Sequence, residues 1–201
     1  MTLYSLDDKP MLRTFLIALI LAQASAASAT ALDSFWSQLQ NLCGRAYAGA
    51  LITEPEGEVG FAGQALVMHV RECSDDRIHI PFFVGEDRSR TWVLTRVEID
   101  GEPRLELKHD HRHEDGSEDA VTMYGGTTTN TGLATQQLFP ADQHTREIIE
   151  PAHANVWRIE LIPGERFSYH LTRLGTDRIF QVDFDLTETI ETPPAPWERA
   201  E

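Results

Sequence analysis

NVWRIELIPGERFSYHLTRLGTDRIFQVDFDL, residues 155–186, carries the clearest structural signal in the chain. It contains three short segments, which are separated by turn residues at Pro163-Gly164 and at positions 174–177. In the last segment every second side chain is apolar, at Phe180, Val182, Phe184 and Leu186. A period of two is typical of a β-strand that buries one face. We therefore predict three neighbouring antiparallel strands joined by tight turns.

The same two-residue alternation extends upstream through most of the chain. The alternating runs are broken by turn residues at Asp100-Gly101 and at EDGSED, residues 114–119. The predicted strands lie in FAGQALVMHVREC (61–73), RIHIPFFV (77–84), RTWVLTRVEI (90–99), RLELKHDHRH (104–113), AVTMYGG (120–126) and TGLATQQLF (131–139). With the last three segments, they predict about eight to ten antiparallel strands.

Two segments depart from this rhythm and predict helices. The first, residues 31–44, places apolar side chains at helical spacing, at Phe35, Trp36, Leu39 and Leu42. Asp33 is its expected N-cap and Gly44 its expected stop signal. The second segment, FPADQHTREIIEPAHA at 139–154, is rich in polar residues that tolerate a helix. It comes just before the last three strands.

An antiparallel meander of this size leaves exposed edges unless it closes on itself or folds as a sandwich. We predict a mainly β fold in which the meander closes into a barrel, with one short N-terminal helix and one helix before the last three strands. The predicted barrel is a single domain covering residues 32–187. The remaining residues, 188–201, are rich in proline and glutamate, so they predict a disordered tail.

Residues 1–31 have the features of a secretory signal peptide. Arg13 precedes an apolar run from Phe15 to Ala22, and small residues follow with A-x-A cleavage sites ending at Ala26, Ala29 and Ala31. Acidic residues precede Met11, which is therefore the predicted true start. The apolar run is too short for a membrane span; an uncleaved anchor or a buried helix is the alternative. We expect a periplasmic or secreted bacterial protein whose mature part has no membrane span.

The chain is strongly acidic. It carries 32 Asp and Glu residues against 17 Lys and Arg residues, a formal net charge of -15. This charge repels phosphate backbones and anionic membrane surfaces, so nucleic acid is excluded as an expected partner. Cations, and small molecules held in an apolar interior, remain compatible with it. We expect a monomer.

Cys43 and Cys73 are the two cysteines of the chain. In an oxidising compartment two such cysteines usually pair, so we predict a disulfide. It would close a loop of about 30 residues and stabilise the fold by roughly 3–4 kcal/mol in the chain-entropy model. Two free buried thiols are the alternative. Without a C-x-x-C motif, thiol redox catalysis is not expected.

Four segments together resemble a family of uncharacterised secreted bacterial proteins. They are LCGRAYAGAL (42–51), IPFFVGEDRSRTWVLTR (80–96), LKHDHRHEDGSEDAVTMYGGTT (107–128) and RLGTDRIFQVDFDL (173–186). The resemblance covers nearly all of the predicted mature chain and implies no functional residues. The order of helix, meander, helix and strands is similar to lipocalin-like, or calycin, barrels, although their G-x-W triplet is absent here. This similarity concerns fold, and fold does not fix function.

Three histidines, His109, His111 and His113, share one face of the segment at 104–113 and form the candidate metal site. A strand rises about 3.4 Å per residue, so only two neighbours can reach one ion, with a third ligand from elsewhere. The candidates for that ligand are Glu114, Asp115, His69, His79 and His170. The alternatives are a hydrogen-bonded polar strand end and a pH-sensing or general-base role. Acidic neighbours are expected to raise the pKa of these histidines.

Five aromatic residues are the candidate ligand-binding side chains: Tyr47, Phe82, Trp92, Trp157 and Tyr169. Packing in the core is their alternative role. We assign no catalytic residue, because the serines lack a G-x-S-x-G context. The segment YGGTTTNTG at 124–132 lacks the lysine and the helix of a phosphate loop, and we interpret it as a turn.

The leading functional hypothesis is that a small, partly apolar molecule binds inside the barrel, with no chemistry performed. Such a role needs a cavity of about 300 Å³ or more lined by apolar side chains. The first alternative is a metal-binding protein or metal-dependent enzyme that holds a divalent ion through His109 and His111. The second alternative is a protein–protein interaction module of the cell envelope with a filled core.

Overall fold

The computed structural model describes residues 29–57 and 60–198. The predicted signal peptide therefore lies outside the described residues, except for its last three positions. None of the helices in the described part of the chain has the length and apolar character needed to cross a membrane.

Within these ranges the chain forms eleven strands, two α-helices and one 3-10 helix. The helices are α1 (Ala31–Gln40), α2 (Gln143–Ile148) and the 3-10 helix Glu150–Ala154. The strands are β1 (Ala46–Thr53), β2 (Leu66–His69), β3 (Glu72–Cys73), β4 (Arg77–Val84), β5 (Asp87–Ile99), β6 (Glu102–His111), β7 (Tyr124–Thr127), β8 (Gln136–Pro140), β9 (Asn155–Ile162), β10 (Arg166–Arg173) and β11 (Ile179–Asp185). The predicted mainly β fold, with one helix at the front and one before the last three strands, is confirmed.

All of these strands belong to one antiparallel sheet. Its order is β7-β6-β5-β4-β2-β1-β11-β10-β9-β8, and β3 pairs with β4 beside this path. The first and last strands, β1 and β11, are neighbours in the middle of the sheet. The sheet therefore curls round, and its two edge strands, β7 and β8, come together to make the predicted barrel nearly closed.

The seam between β7 and β8 depends on two glycines. An isolated bridge joins Gly126 to Ala141, and the N–H of Asp142 donates to the carbonyl of Gly125 at 2.9 Å. A Cβ on Gly126 would overlap the carbonyl oxygen of Pro140, since the two backbones are in direct contact. Gly125-Gly126 thus belongs to a strand at a close backbone approach, as the strand predicted at 120–126 indicates and contrary to the turn predicted at 124–132.

Helix α1 closes one end of the barrel. Its apolar face, formed by Leu32, Phe35, Trp36 and Leu39, is buried and packs against β6 and β9. On its polar side, Arg96 near the end of β5 donates to Asp33 at 2.5 Å. The helix therefore lies at the end of the barrel where β5 finishes.

The N-cap of α1 differs from the predicted one. Thr30, not Asp33, is the capping residue, and its hydroxyl accepts from the backbone N–H of Asp33 at 3.1 Å. The Asp33 carboxylate accepts in return from the backbone N–H of Thr30. This reciprocal capping box satisfies two N–H groups that would otherwise have no helical partner.

The predicted disulfide is confirmed. Cys43 and Cys73 are bonded across a Cα–Cα distance of 6.3 Å. Cys43 follows α1, and Cys73 lies on β3 beside the start of β4. The bond therefore attaches the closing helix to the wall of the barrel at the same end.

The C-terminal segment differs from the predicted disordered tail over residues 188–198. Ile190 forms a bridge with Ala46, and the N–H of Trp197 donates to the carbonyl of Arg88 at 3.0 Å. Pro196 is buried. Proline and glutamate content predicts disorder on average, but here the bridge at Ile190 and the hydrogen bonds between Arg88 and residues 195 and 197 attach the segment to the barrel. Residues 199–201 lie outside the described part of the chain.

Candidate ligand-binding site

A cavity of about 200 Å³ lies at the end of the barrel opposite α1. Here β5 and β11 begin, and β6 and β10 end. The side chains around it are mostly aromatic: Phe61, Phe82, Arg90, Thr91, Trp92, His109, His111, Tyr124, Tyr169, Leu171, Arg178 and Phe180. This volume is below the value of about 300 Å³ expected for a typical ligand site, so a ligand here has to be small.

The alternation of the strands explains how these residues reach the cavity. On β6, Leu107 and His109 are buried and His111 is half-buried, as the shared face predicted. On β5, Trp92 lies opposite His109 and Arg90 lies opposite His111. Toward the open end of the barrel, the inward-facing side chains of β5 and β6 therefore change from leucine to aromatic and polar residues.

Four rings form a continuous stack beside the cavity, here called the aromatic column: Phe61, Phe82, Trp92 and Tyr169. Neighbouring ring centroids are 6.2 Å, 4.8 Å and 4.4 Å apart in that order, with interplanar angles of 8°, 17° and 14°. The ring of Phe180 meets Phe61 at 4.8 Å in a tilted contact. The column is thus a wall of nearly parallel rings that borders the cavity.

His109 is fully hydrogen-bonded at the base of the cavity. Its Nδ1 lies 3.0 Å from the backbone oxygen of Tyr124, and its Nε2 lies 2.7 Å from the hydroxyl of Tyr169. A carbonyl oxygen can only accept, so Nδ1 carries the proton and Nε2 accepts from Tyr169. Burial lowers the pKa of His109 to about 3. This histidine is therefore neutral at neutral pH.

His111 extends the network toward the mouth. Its Nε2 lies 3.0 Å from the hydroxyl of Tyr124, whose ring stacks on His109 at 4.6 Å. Burial lowers the pKa of His111, and the nearby Arg90 acts in the same direction, while neighbouring aspartates oppose both. The expected upward pKa shift from acidic neighbours is thus wrong for His109 and His111, because burial outweighs those charges.

Tyr169 completes a neutral network. Burial raises the pKa of its hydroxyl well above its usual value, so the group stays protonated and can donate to His109. The base of the cavity therefore offers uncharged hydrogen-bonding groups and ring surfaces. This chemistry suits the binding of a planar molecule.

Arg90 is held at the mouth of the cavity from two sides. Its Nη1 donates to the carboxylate of Asp87, and its guanidinium lies 5.6 Å from the ring centroid of Phe61. Asp87 in turn accepts from the backbone N–H of Ser89 at 2.9 Å. These contacts orient a planar cation beside the first ring of the aromatic column.

The structure separates the five predicted ligand-binding aromatics into two groups. Phe82, Trp92 and Tyr169 line the cavity. Tyr47 and Trp157 are each 1% exposed and do not line it, so they pack in the core. The lining residues Phe61, Thr91, Tyr124, Leu171 and Arg178 were not predicted, and Arg90 and Phe180 were not among the five candidates. The inward direction of Arg90 follows from the strand period, because Arg90 lies two residues before Trp92 and shares its strand face.

The three histidines of the candidate metal site are not brought together. His109 is buried with both ring nitrogens hydrogen-bonded, His111 is half-buried, and His113 is exposed. In residues 29–57 and 60–198, no group of three or more His, Cys, Asp or Glu side chains is arranged to hold a metal ion. The five residues considered as third ligands therefore complete no such group.

Comparisons with protein-family models, with curated proteins and with solved structures found no match. The resemblance to a family of secreted bacterial proteins stays an expectation.

Proposed function

We propose that this protein binds a small planar molecule, such as a one- or two-ring aromatic compound, in the cavity at the open end of the barrel. The aromatic column is the observation that supports this proposal. Nearly parallel rings beside a cavity offer edge contacts to a flat ligand, because the faces of Phe82 and Trp92 are covered by neighbouring rings of the column. The hydroxyl of Tyr124 and the ring of His111 supply hydrogen-bonding groups beside them.

The cavity size limits the ligand. At about 200 Å³ it is smaller than the sites that hold drug-sized molecules. A long lipid chain or a large macrocycle is therefore a poor candidate, and a molecule of one or two rings is a good one. The expected ligand is partly apolar, as the sequence analysis predicts, but smaller than the interior of a typical ligand-binding barrel.

The walls of the cavity are fixed before a ligand arrives. Trp92 is 2% exposed, and its ring contacts Phe82 and Tyr169 on its two sides. His109 is anchored at both nitrogens. A site of this kind loses little side-chain entropy on binding, which favours affinity for a small ligand.

The proposed location is the periplasm or the exterior of the cell. The disulfide between Cys43 and Cys73 supports an oxidising compartment. Of the two alternative roles, the interaction module requires a filled interior, whereas this barrel contains a cavity. The metal-dependent role receives no support from the positions of the three histidines.

The test is a titration of the protein with indole, benzamide, benzoate and 2-naphthoate, followed by two-dimensional NMR. We expect at least one probe to shift the signals of Trp92, Tyr124 and Tyr169 in a saturable way. The substitution Leu171→Trp would fill the cavity and abolish these shifts, because Leu171 lines it and is 9% exposed.

Leu138→Trp is the matched control, since Leu138 is 46% exposed on β8 and does not line the cavity. This variant should bind like the unmodified protein. Circular dichroism and thermal unfolding would establish that both variants are folded. Absence of binding by all four probes at millimolar concentration, or binding that survives Leu171→Trp in a folded protein, would overturn the proposal.

A further inference from the structure

We infer that the ligand is a planar aromatic acid whose carboxylate is bound by Arg90 at the mouth of the cavity. This inference rests on the proposed function, because it names the chemical class of the molecule that the same cavity holds.

The charge of the cavity wall is opposite to that of the whole protein. The chain has a net charge of -15. The residues that line the cavity, within the described part of the chain, include Arg90 and Arg178 but no Asp or Glu. Arginines in the lining of an otherwise acidic protein favour an anion over a cation at the mouth, and Asp87, which is paired with Arg90, reduces this preference.

The position of Arg90 is what selects a carboxylate. It shares the inward face of β5 with Trp92, directly opposite His111. Its one side-chain hydrogen bond in the described part of the chain, to Asp87, uses Nη1. A guanidinium has five N–H donors in a planar fork, a geometry that matches a carboxylate.

Asp87 weakens the attraction between Arg90 and a ligand carboxylate but does not prevent it. Its carboxylate offsets part of the charge of Arg90, so recognition depends on directed N–H donors as well as on net charge. Asp87 also holds the guanidinium in one orientation, which reduces the entropy lost when a ligand binds. The stacking of Arg90 over Phe61 adds a second constraint on the same group.

The rest of the cavity determines which end of the ligand goes inside. His109 is neutral, and its neighbour Tyr169 stays protonated, so the base of the cavity contains no charge that could pair with a carboxylate. Burying a carboxylate there without a partner would be unfavourable. The aromatic ring therefore lies deep beside Trp92, and the carboxylate lies at the mouth.

Benzoate, benzamide and benzamidine test this inference, because they have the same shape and carry a negative, zero and positive charge. We expect the unmodified protein to bind benzoate about 10-fold or more tightly than benzamide, and benzamidine most weakly of the three. Dissociation constants would be measured by NMR titration of the Trp92 indole signal.

Two substitutions at Arg90 then assign the effect to this residue. Arg90→Gln should remove the preference for benzoate over benzamide, while Arg90→Lys should keep part of the preference. Arg104→Gln is the matched control, since Arg104 lies on β6 away from the cavity. It should leave all three affinities unchanged.

The outcomes separate the two proposals. If benzamide or benzamidine binds the unmodified protein as tightly as benzoate, or if Arg90→Gln keeps the preference, the aromatic acid is wrong and the binding function stands. If none of these three probes and none of the two-ring probes binds, the binding function itself is wrong. The charge series on the unmodified protein decides the question even if the Arg90 variants do not fold.

Discussion

The side-chain hydroxyl of Thr145 accepts a hydrogen bond from the backbone N–H of Gly125 at 2.7 Å and donates one to the carbonyl of the same residue at 2.8 Å. A single side chain on α2 thus satisfies both backbone groups of a residue at the seam of the barrel. Thr145 is fully buried. Asp142, the N-cap of α2, is also paired with Lys108 on β6. The short helix therefore holds the two edges of the sheet together.

Removing that hydroxyl should weaken the barrel. Thr145→Val keeps the shape of the side chain but leaves the N–H and the carbonyl of Gly125 buried without this partner. We expect the free energy of unfolding to fall by about 1–3 kcal/mol. Thr145→Ser retains the hydroxyl and should lose less than the valine variant. Urea denaturation of both variants measures the difference, and equal stability of the two would contradict this account of the seam.

Steric contact at the seam leads to a second prediction. Gly126→Ala would place a methyl group against the carbonyl of Pro140, so β7 and β8 would have to separate. Gly101→Ala is a useful comparison, because its Cβ would meet nothing within 4 Å and only the φ of +78° is unfavourable. The left-handed conformation costs roughly 1–2 kcal/mol for a residue with a side chain. We expect Gly126→Ala to lower the thermal midpoint more than Gly101→Ala, and the reverse order would contradict the close approach.

Local sequence patterns were enough to predict the strands and a closed barrel, but not the residues that form its seam. The alternation in residues 155–186 and in RIHIPFFV follows from contacts that each strand makes with the core, so it is visible in a short window. The seam depends on Gly126 and Pro140, which meet only after the whole sheet has curled. The docking of Trp197 has the same origin, because its partner Arg88 is distant in sequence.

The candidate site was predictable to a similar degree. The shared face of His109 and His111 followed from the strand period, and so did the inward direction of Trp92. Their roles did not, because burial and the partners Tyr124 and Tyr169 determine whether a histidine is a metal ligand or part of a neutral network. Those partners come from strands that are far apart in the sequence.

The lowered pKa of His109 predicts that acid destabilises the protein. In the unfolded chain this histidine titrates near 6.5, whereas in the folded protein its pKa is about 3. As pH falls from about 6.5 toward 3, the unfolded state takes up a proton that the folded state does not, so the free energy of unfolding falls. Above pH 6.5 this histidine contributes no pH dependence. Its largest slope is about 1.4 kcal/mol per pH unit.

His109→Gln should reduce that slope without removing it. The pKa values of His69, His111 and His170 are also lowered by burial, so these residues add to the same acid effect. Urea denaturation from pH 8 to pH 4 measures the slope in the parent protein and in the variant. His153→Gln, which removes an exposed histidine on the 3-10 helix, is the matched control. An identical slope for His109→Gln would show that this histidine does not carry the effect.

The disulfide should affect stability without affecting the cavity, because it lies at the opposite end of the barrel. It closes a loop with a sequence separation of 30, which corresponds to about 3–4 kcal/mol in the chain-entropy model. We expect the double substitution Cys43→Ser with Cys73→Ser to lose stability of this order in urea denaturation. At temperatures where the variant is still folded, its affinity for the aromatic probes should stay within about twofold of the parent value, because the cavity stays intact. A tenfold change in affinity would correspond to about 1.4 kcal/mol of binding free energy.

A large loss of probe affinity in the folded double variant would show that α1 and the disulfide also position the aromatic column. An unchanged stability would instead mean that packing of α1 against β6 and β9 is sufficient to hold that end of the barrel closed.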